Sequence, residues 1–373
     1  MRISHVIASL DPEMGGLPKT TVAQAASQSV LGHEVQIVYF DHEGGDEALR
    51  SAFGHFPGYD EIVFCSLKGR GYQKVLGSGV TQALEDFGPD LLHTHGLWEP
   101  MLAYAQRYGL KKKVPYVVFP QSMLHPWQSR KYPCLKGLLK YGLGWKKRWQ
   151  KAAFIQVLSE QEAMHWHQAG IPQTRLIPNG IFPTEDLGGG GALPWGEGDF
   201  LLSLARLHPQ KSPDLLLKSF AKVLPLHPEV TLVFAGPDYG MEEDLRALAS
   251  QLGCAESVYF AGSLHAKEKW RALHACKGFV LPSQAEGFSL ALLEAALAGA
   301  EIVMSKGCYF DALAEAGGAR IAALTPEELA EALRMVLSHP GAMGPQAREF
   351  VLQGYTWERI AEQLIAAYRE VGA

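Results

Sequence analysis

The stretch that decides the fold runs Leu281-Pro282-Ser283-Gln284-Ala285-Glu286-Gly287-Phe288-Ser289-Leu290-Ala291-Leu292-Leu293-Glu294. The apolar run Gly278–Leu281 just before it reads as a buried strand. From Ser289 to Ala298 the chain is rich in Leu and Ala, and Gly299 ends the run. That predicts a helix with Ser289 as its N-cap. A strand, a glycine-containing turn and a helix N-terminus make an anion site, because free backbone N–H groups point outward there. Glu286 then lies beside a bound phosphate, and Glu294 follows about a turn and a half into the helix. Two carboxylates flanking a phosphate site suit paired hydroxyls, as sugars and riboses offer. The same spacing also fits a buried helix with one capping acid and one solvated acid.

Working outward, strand-like and helix-like segments alternate along the whole chain. In the first half Ile3–Ala8, Glu34–Phe40, Asp90–His95, Tyr116–Phe119, Phe154–Leu158 and Thr174–Ile177 read as strands. Helical patterns cover Lys19–Leu31, Tyr72–Phe87, Met101–Tyr108, Cys134–Ala152 and Glu160–Ala169. In the second half Phe200–Ala205, Thr231–Ala235, Val258–Ala261, Gly278–Leu281 and Glu301–Met304 read as strands, with helices at Leu215–Val223, Met241–Leu252, Lys267–Ala275, Ser289–Ala298 and Pro326–Leu337. Such alternation predicts an α/β class with parallel sheets covered by helices on both faces. The Gly/Pro-rich stretch 183–198, holding Gly188–Gly191, reads as a flexible junction between two domains. The divisions are 1–182, the linker 183–198, 199–354, and a last helix in 355–373. Ligands in open sheets of this kind bind beyond the C-terminal strand ends. Gly15, Gly16, His95, Gln121, Arg206, Gly236 and Glu286 all fall there, and two such domains facing each other place them around one central cleft.

Composition narrows the class. The 373 residues are 47% hydrophobic and 20% charged, an ordinary globular balance. The formal net charge of −5 argues against general nucleic-acid binding. Five dispersed cysteines without a C-x-x-C argue for reduced thiols in a cytoplasmic protein rather than a disulfide framework or structural zinc. The opening Met1-Arg-Ile-Ser-His5 reads as a strand, not a signal peptide. No acid occurs between Glu99 and Glu160, whereas twelve Lys and Arg residues lie between Arg107 and Lys151. Residues 130–151, with Trp145, Trp149 and the nearby Trp127, suit an anionic bilayer surface, which implies peripheral attachment to the inner face of the membrane. A solvated basic face and an anionic soluble acceptor are the alternatives.

Five motifs in order resemble the retaining glycosyltransferases of family 4, glycosyl transferases group 1, with the GT-B fold of two Rossmann-like domains. These are Gly15-Gly16-Leu17 with Gly32-His-Glu-Val35; Ile177-Pro-Asn-Gly180; Leu204-Ala-Arg206-Leu-His-Pro-Gln-Lys211; Val233-Phe-Ala-Gly236; and the Glu286…Glu294 pair. They span most of the chain. The resemblance implies a nucleoside diphosphate sugar as donor, no metal or other cofactor, a saccharide or lipid-linked acceptor, and a last helix crossing back onto the first domain. It places the donor diphosphate at Arg206 and Lys211, whose fork of donors and mobile point charge suit a pyrophosphate. Arg206, Lys211 and Glu286 are the catalytic candidates. Gly15, Gly16, Gly236, Leu264, Phe288, Ser289, Leu290 and Glu294 are the donor-binding candidates, with Glu294 on the ribose hydroxyls.

His93-Thr-His95-Gly-Leu-Trp98 puts two imidazoles on one side of a strand, as a zinc site would. No third ligand with clear spacing accompanies them, so the reading is no metal and a structural His93; the family resemblance, through its H-x-H-G-L-W form, implies that His95 lies on the acceptor side. The chain departs from its relatives at Pro120-Gln121-Ser122-Met-Leu-His125, where they usually show P-H-G-M-L. Gln121 keeps hydrogen bonding but carries no proton or charge. Gln121 and His125 are acceptor- or sugar-side candidates. The expected activity is sugar transfer to an acceptor hydroxyl with retention, in cell-surface polysaccharide or glycolipid synthesis. An epimerase of the same fold and a non-catalytic nucleotide-binding relative are the rivals.

Overall fold

A computed structural model describes residues 1–41, 44–68, 79–124, 144–186, 188, 192–264 and 266–373. The chain divides into two compact units, Met1–Gly180 with Trp357–Ala373, and Ile181–Thr356. Among the described residues, no helix is long and apolar enough to cross a membrane.

Unit 1 holds strands β1 (Arg2–Ile7), β2 (Glu34–Phe40), β3 (Val63–Leu67), β4 (Leu91–His95), β5 (Tyr116–Phe119), β6 (Phe154–Val157) and β7 (Thr174–Leu176). Its first helices are α1 (Gly16–Val30), α2 (Gly45–Phe53), α3 (Val80–Phe87), α4 (Pro100–Lys112), α5 (Trp145–Trp149) and α6 (Glu160–Gln168). The strands form one sheet in the order β3-β2-β1-β4-β5-β6-β7. Every pairing in it is parallel. Its inner strands are buried almost throughout, which is why they read as continuous apolar runs.

Unit 2 repeats the plan. Strands β8 (Phe200–Leu204), β9 (Thr231–Ala235), β10 (Val258–Gly262), β11 (Gly278–Leu281), β12 (Ile302–Ser305) and β13 (Arg320–Ala322) line up as β10-β9-β8-β11-β12-β13, again all parallel. Between and after them run α7 (Pro213–Val223), α8 (Glu242–Gln251), α9 (Ala266–Ala275), α10 (Leu290–Leu297), α11 (Asp311–Glu315), α12 (Pro326–Ser338) and α13 (Gly344–Gly354). In each sheet the order reverses beside the first strand, between β1 and β4 and between β8 and β11. Those reversals are where such sheets open a crevice for ligands.

The last helix, α14 (Trp357–Glu370), belongs to unit 1. Trp357, Ile360, Ala361, Leu364, Ile365 and Tyr368 form its buried stripe, at the spacing of one helix face. It packs against α1, and Arg175 pairs with Glu370 at 2.6 Å.

Two expectations change. The described part of 183–198 is not a loose tether. Leu193 lies in the core of unit 2, and Asp186 accepts from His274 Nε2 at 2.7 Å and from Arg348 Nη1 at 3.2 Å. One apolar and one ionic anchor bind the stretch to unit 2 despite its glycines. The tryptophans of the basic segment are interior as well. Trp145 and Trp149 are 4% and 0% exposed, and Arg148 is 7% exposed. Trp149 meets Trp98 at 5.6 Å, Trp145 at 6.2 Å and Trp166 at 5.5 Å between ring centroids, so these rings pack on one another instead of facing a bilayer. Trp127 and the rest of 125–143, including His125, lie outside the described residues.

Candidate functional site

In unit 2 the loops leaving β8 and β11 carry the predicted donor residues, and backbone bonds stitch them together. Gln284 N–H donates to Gln210 O at 2.8 Å, Gln284 Nε2 donates to Pro209 O at 3.1 Å, and Gln210 Nε2 donates to Ala285 O. Glu286 N–H is held by Gly307 O at 2.7 Å. This stitching brings Lys211 Nζ onto Glu286 Oε1, which also accepts from Ser283 Oγ. The two ionic side chains are only 14% and 8% exposed. Arg206, two residues past β8, is exposed and rests over the Tyr239 ring at 5.3 Å. Among the described residues no carboxylate is recorded against it, so its fork stays available to an anion. Burial first, then the charges of Arg206 and Lys211, hold His208 below its ordinary pKa.

The helix after β11 begins as its sequence predicts. Ser289 is the N-cap, and its Oγ accepts from Leu292 N at 3.3 Å. Phe288 stands at that turn against Phe310 and Tyr355, at 5.4 Å and 6.2 Å. Glu294 is 6% exposed and pairs with Lys269 Nζ at 2.7 Å. Lys269 was not legible in the sequence: it is one of two lysines in Lys267-Glu-Lys269, and nothing in that spacing marks either. Leu264 is half-buried on the unit's core, and Leu290 opens α10. Gly236 has φ +142°, and a Cβ there would stand 2.1 Å from Ala205 O.

In unit 1, Gly15 caps α1 at φ +89°, with open space where a Cβ would point, and Gly16 starts the helix. Past β5, Gln121 and Ser122 both adopt left-handed backbone, at φ +47° and +61°. Two consecutive non-glycine residues in that region are strained. The strain is offset by specific bonds. Gln121 Nε2 donates to Thr20 Oγ1 on α1 at 2.7 Å, and Ser122 N–H donates to Glu162 Oε1 at 2.5 Å. Glu162 Oε2 accepts from Leu158 N–H at 2.8 Å. The Ser159-x-x-Glu162 spacing that opens α6 is a capping-box signature and was available as a signal. Burial outweighs these bonds and pushes Glu162 up to about 7.

A prediction follows for Glu162. Its folded pKa lies above the unfolded value, so the folded state binds the extra proton between about 4.5 and 7. Stability from this group is present below that window and is lost as pH rises through it. Glu162→Gln removes the titration. Urea melts should show the parent losing stability relative to the variant between pH 5 and pH 8, by a few kcal/mol at most. Parallel stability profiles would refute the assignment.

His95 lies in the interior of unit 1. It is 1% exposed. It joins His93 and His5 in a buried layer made by the sheet register, which sets His5 opposite His93 and Ile7 opposite His95. His5 Nδ1 and His95 Nε2 share a hydrogen bond at 2.8 Å. His5 Nε2 meets Gln28 Oε1 at 2.8 Å, and His93 Nδ1 meets the Tyr368 hydroxyl at 2.6 Å. Burial drives His5 down to about 4 and holds His93 and His95 well below the ordinary range, so all three are neutral.

Both halves of the chain match described families. Residues 14–185 match the Glycosyltransferase Family 4 model, and residues 193–357 match Glycosyl transferases group 1. A D-inositol 3-phosphate glycosyltransferase of Geodermatophilus obscurus is 32% identical over 178 residues, 45% of this chain and 39% of that protein. Its counterpart in Frankia alni is 31% identical over 191 residues, 46% of each chain. The match spans under half the length of these curated relatives. Among solved structures, the Anabaena protein HepE in complex with UDP aligns with a TM-score of 0.78 at 17% identity, over 99% of this chain and 100% of that one. Sucrose-phosphate synthase from Thermosynechococcus elongatus aligns with a TM-score of 0.75 at 18% identity, over 99% and 98%. At these identities the likeness is one of fold: two parallel α/β sheets in the GT-B pattern.

Proposed function

The chain belongs to the family 4, group 1 glycosyltransferases, and from that membership and the site in unit 2 we propose that it moves a sugar from a nucleoside diphosphate to an acceptor hydroxyl. The carrying observation is the pair of cations after β8, Lys211 held against Glu286 and Arg206 with no carboxylate partner among the described residues. When the sugar leaves, negative charge grows on the departing phosphate. Cations fixed there in advance stabilise the transition state more than the ground state. The leaving group then needs no metal. Glu286 is read as holding sugar hydroxyls and Glu294 as holding the ribose diol, each releasing its lysine in part when the donor enters. In our reading the configuration is retained: attack comes from the leaving-group face, and the departing phosphate helps take the acceptor proton.

HepE has been crystallised with UDP-glucose, so uridine donors are the first to test. Glu294→Ala should weaken nucleotide binding by on the order of 1–3 kcal/mol, one buried hydroxyl contact. Glu286→Ala should lower turnover more than affinity. Calorimetry with UDP and UDP-sugars, beside product assays, separates the two effects. Unchanged binding and turnover in both variants would remove the site assignment.

The acceptor is proposed as a saccharide or lipid-linked saccharide in surface polysaccharide or glycolipid synthesis, met at the cytoplasmic face of a membrane. With Trp145, Trp149 and Arg148 buried, attachment rests on exposed lysines such as Lys147 and Lys151. Each lysine near an anionic surface is worth about 1 kcal/mol. Lys147→Glu with Lys151→Glu should therefore lower binding to anionic vesicles at least tenfold at low salt, with the fold intact. A parent protein that does not sediment with such vesicles at low salt would end the membrane reading.

A further inference from the structure

We propose that His5, His93 and His95 form a divalent transition-metal site inside unit 1, separate from the sugar-transfer chemistry. The sequence offered two histidines and no third ligand. The β1–β4 register supplies the third, because His5 pairs directly with His93. One ligand nitrogen from each ring lies within 4.8 Å of the others. His5 Nδ1 and His95 Nε2 are already 2.8 Å apart and share one proton. Around a tetrahedral zinc ion, with Zn–N near 2.0–2.1 Å, ligand nitrogens stand roughly 3.3 Å apart. An ion replacing that proton, which moves to His95 Nδ1 or to solvent, therefore needs the pair to open slightly, His93 to close by about 1.5 Å at most, and the His93 and His95 rings, stacked at 4.6 Å, to turn until their nitrogen lone pairs converge.

The remaining nitrogens of two of the three rings favour the same reading. His93 Nε2 is buried and makes no well-formed hydrogen bond among the described residues, with the Gln156 side chain its polar neighbour; His95 Nδ1, on the far side of its ring from the ion, is buried and unpartnered among them as well. An unpaired buried atom such as His93 Nε2 asks for an explanation, an ion among them. The opposite nitrogens of the other two ligands are tied to oxygens: His5 Nε2 to Gln28 and His93 Nδ1 to Tyr368. Metal-bound imidazoles are oriented in this way, through the ring nitrogen that does not touch the ion. Three imidazole nitrogens suit zinc, cobalt(II) or nickel(II). Gln28 comes from α1 and Tyr368 from α14, so an ion here ties the sheet to both helices.

The test uses the full chain, dialysed against a chelator in mild denaturant, returned to buffer and titrated with cobalt(II). One tight equivalent should bind, with the visible bands of low-coordinate cobalt and a raised melting temperature, and zinc should displace it. His93→Gln should lose at least tenfold in cobalt affinity. Gln28→Leu, which touches no proposed ligand atom, should lose about 10–100-fold. If His93→Gln does not fold by circular dichroism, Gln28→Leu decides alone. Absence of the cobalt bands, or bands kept at unchanged affinity in the folded variants, would overturn the site. Sugar transfer is not part of the readout, so failure here leaves the proposed function standing.

Discussion

Lys211→Met is expected to lower kcat/KM for sugar transfer by about 10²–10³-fold, the loss typical of one fixed charge-stabilising donor. Its Nζ sits on the Glu286 carboxylate in a site where both side chains are largely buried. Removing the cation also leaves that carboxylate with Ser283 Oγ as its remaining side-chain donor. Breaking a buried pair from one side costs about 3–5 kcal/mol, less here because neither group is wholly dry. The double variant Lys211→Met, Glu286→Gln separates the two effects. It should recover most of the stability and none of the turnover. Steady-state kinetics and thermal melts on the parent, both single variants and the double variant form the cycle. Parent turnover should persist in EDTA. A single variant within threefold of the parent, or parent activity that EDTA abolishes and manganese restores, would refute the role given to Lys211.

Gly236→Ala is expected to destabilise unit 2 by about 3 kcal/mol or more, without touching any polar side chain. At φ +142° the residue is in a region that L side chains rarely adopt. The added Cβ would stand 2.1 Å from Ala205 O and 3.2 Å from Arg206 N. Neither side yields easily. Gly236 N–H donates to Gly262 O at 2.7 Å, and Ala205 N–H donates to Ala235 O at 2.8 Å. The displaced segment is the one that aims Arg206, so nucleotide affinity should fall along with stability. At about 2–4 °C per kcal/mol, the melting temperature should drop by roughly 6–12 °C. A melt within about a degree of the parent would show that the backbone here relaxes freely.

The parts of the fold legible in the sequence are the interior ones. Glu34–Phe40, Tyr116–Phe119, Thr231–Ala235 and Gly278–Leu281 appear with the bounds their apolar runs suggest, because these strands are covered on both faces. β3 and β13 were not legible. Each is an edge strand of its sheet, mixed in polarity, and β13 is only three residues long. The site divides in the same way. Arg206, Lys211 and Glu286 could be found because strand ends and glycine turns announce them. Glu162 under Ser122, Lys269 under Glu294 and His5 beside His93 are contacts across distant segments. Register and packing create them, and no local pattern encodes them. Trp145 and Trp149 show the opposite case: their basic neighbours suggest a lipid surface, and aromatic packing against Trp98 and Trp166 outweighs that local cue.

Because α14 belongs to unit 1, the contiguous stretch Ile181–Thr356 of unit 2 interrupts the sequence of unit 1. Synthesis runs the other way round from completion. The strands of unit 1 leave the ribosome before unit 2, yet the Tyr368 hydroxyl that bonds His93 arrives only after unit 2 has been made. At roughly 5–20 residues per second, the nascent first unit waits on the order of 10–40 s for its last helix. During that wait the surfaces that bury Trp357, Ile360 and Leu364 in the finished fold lack their cover. Unit 2, contiguous in the chain, can finish folding inside that interval and so mature before the unit that precedes it.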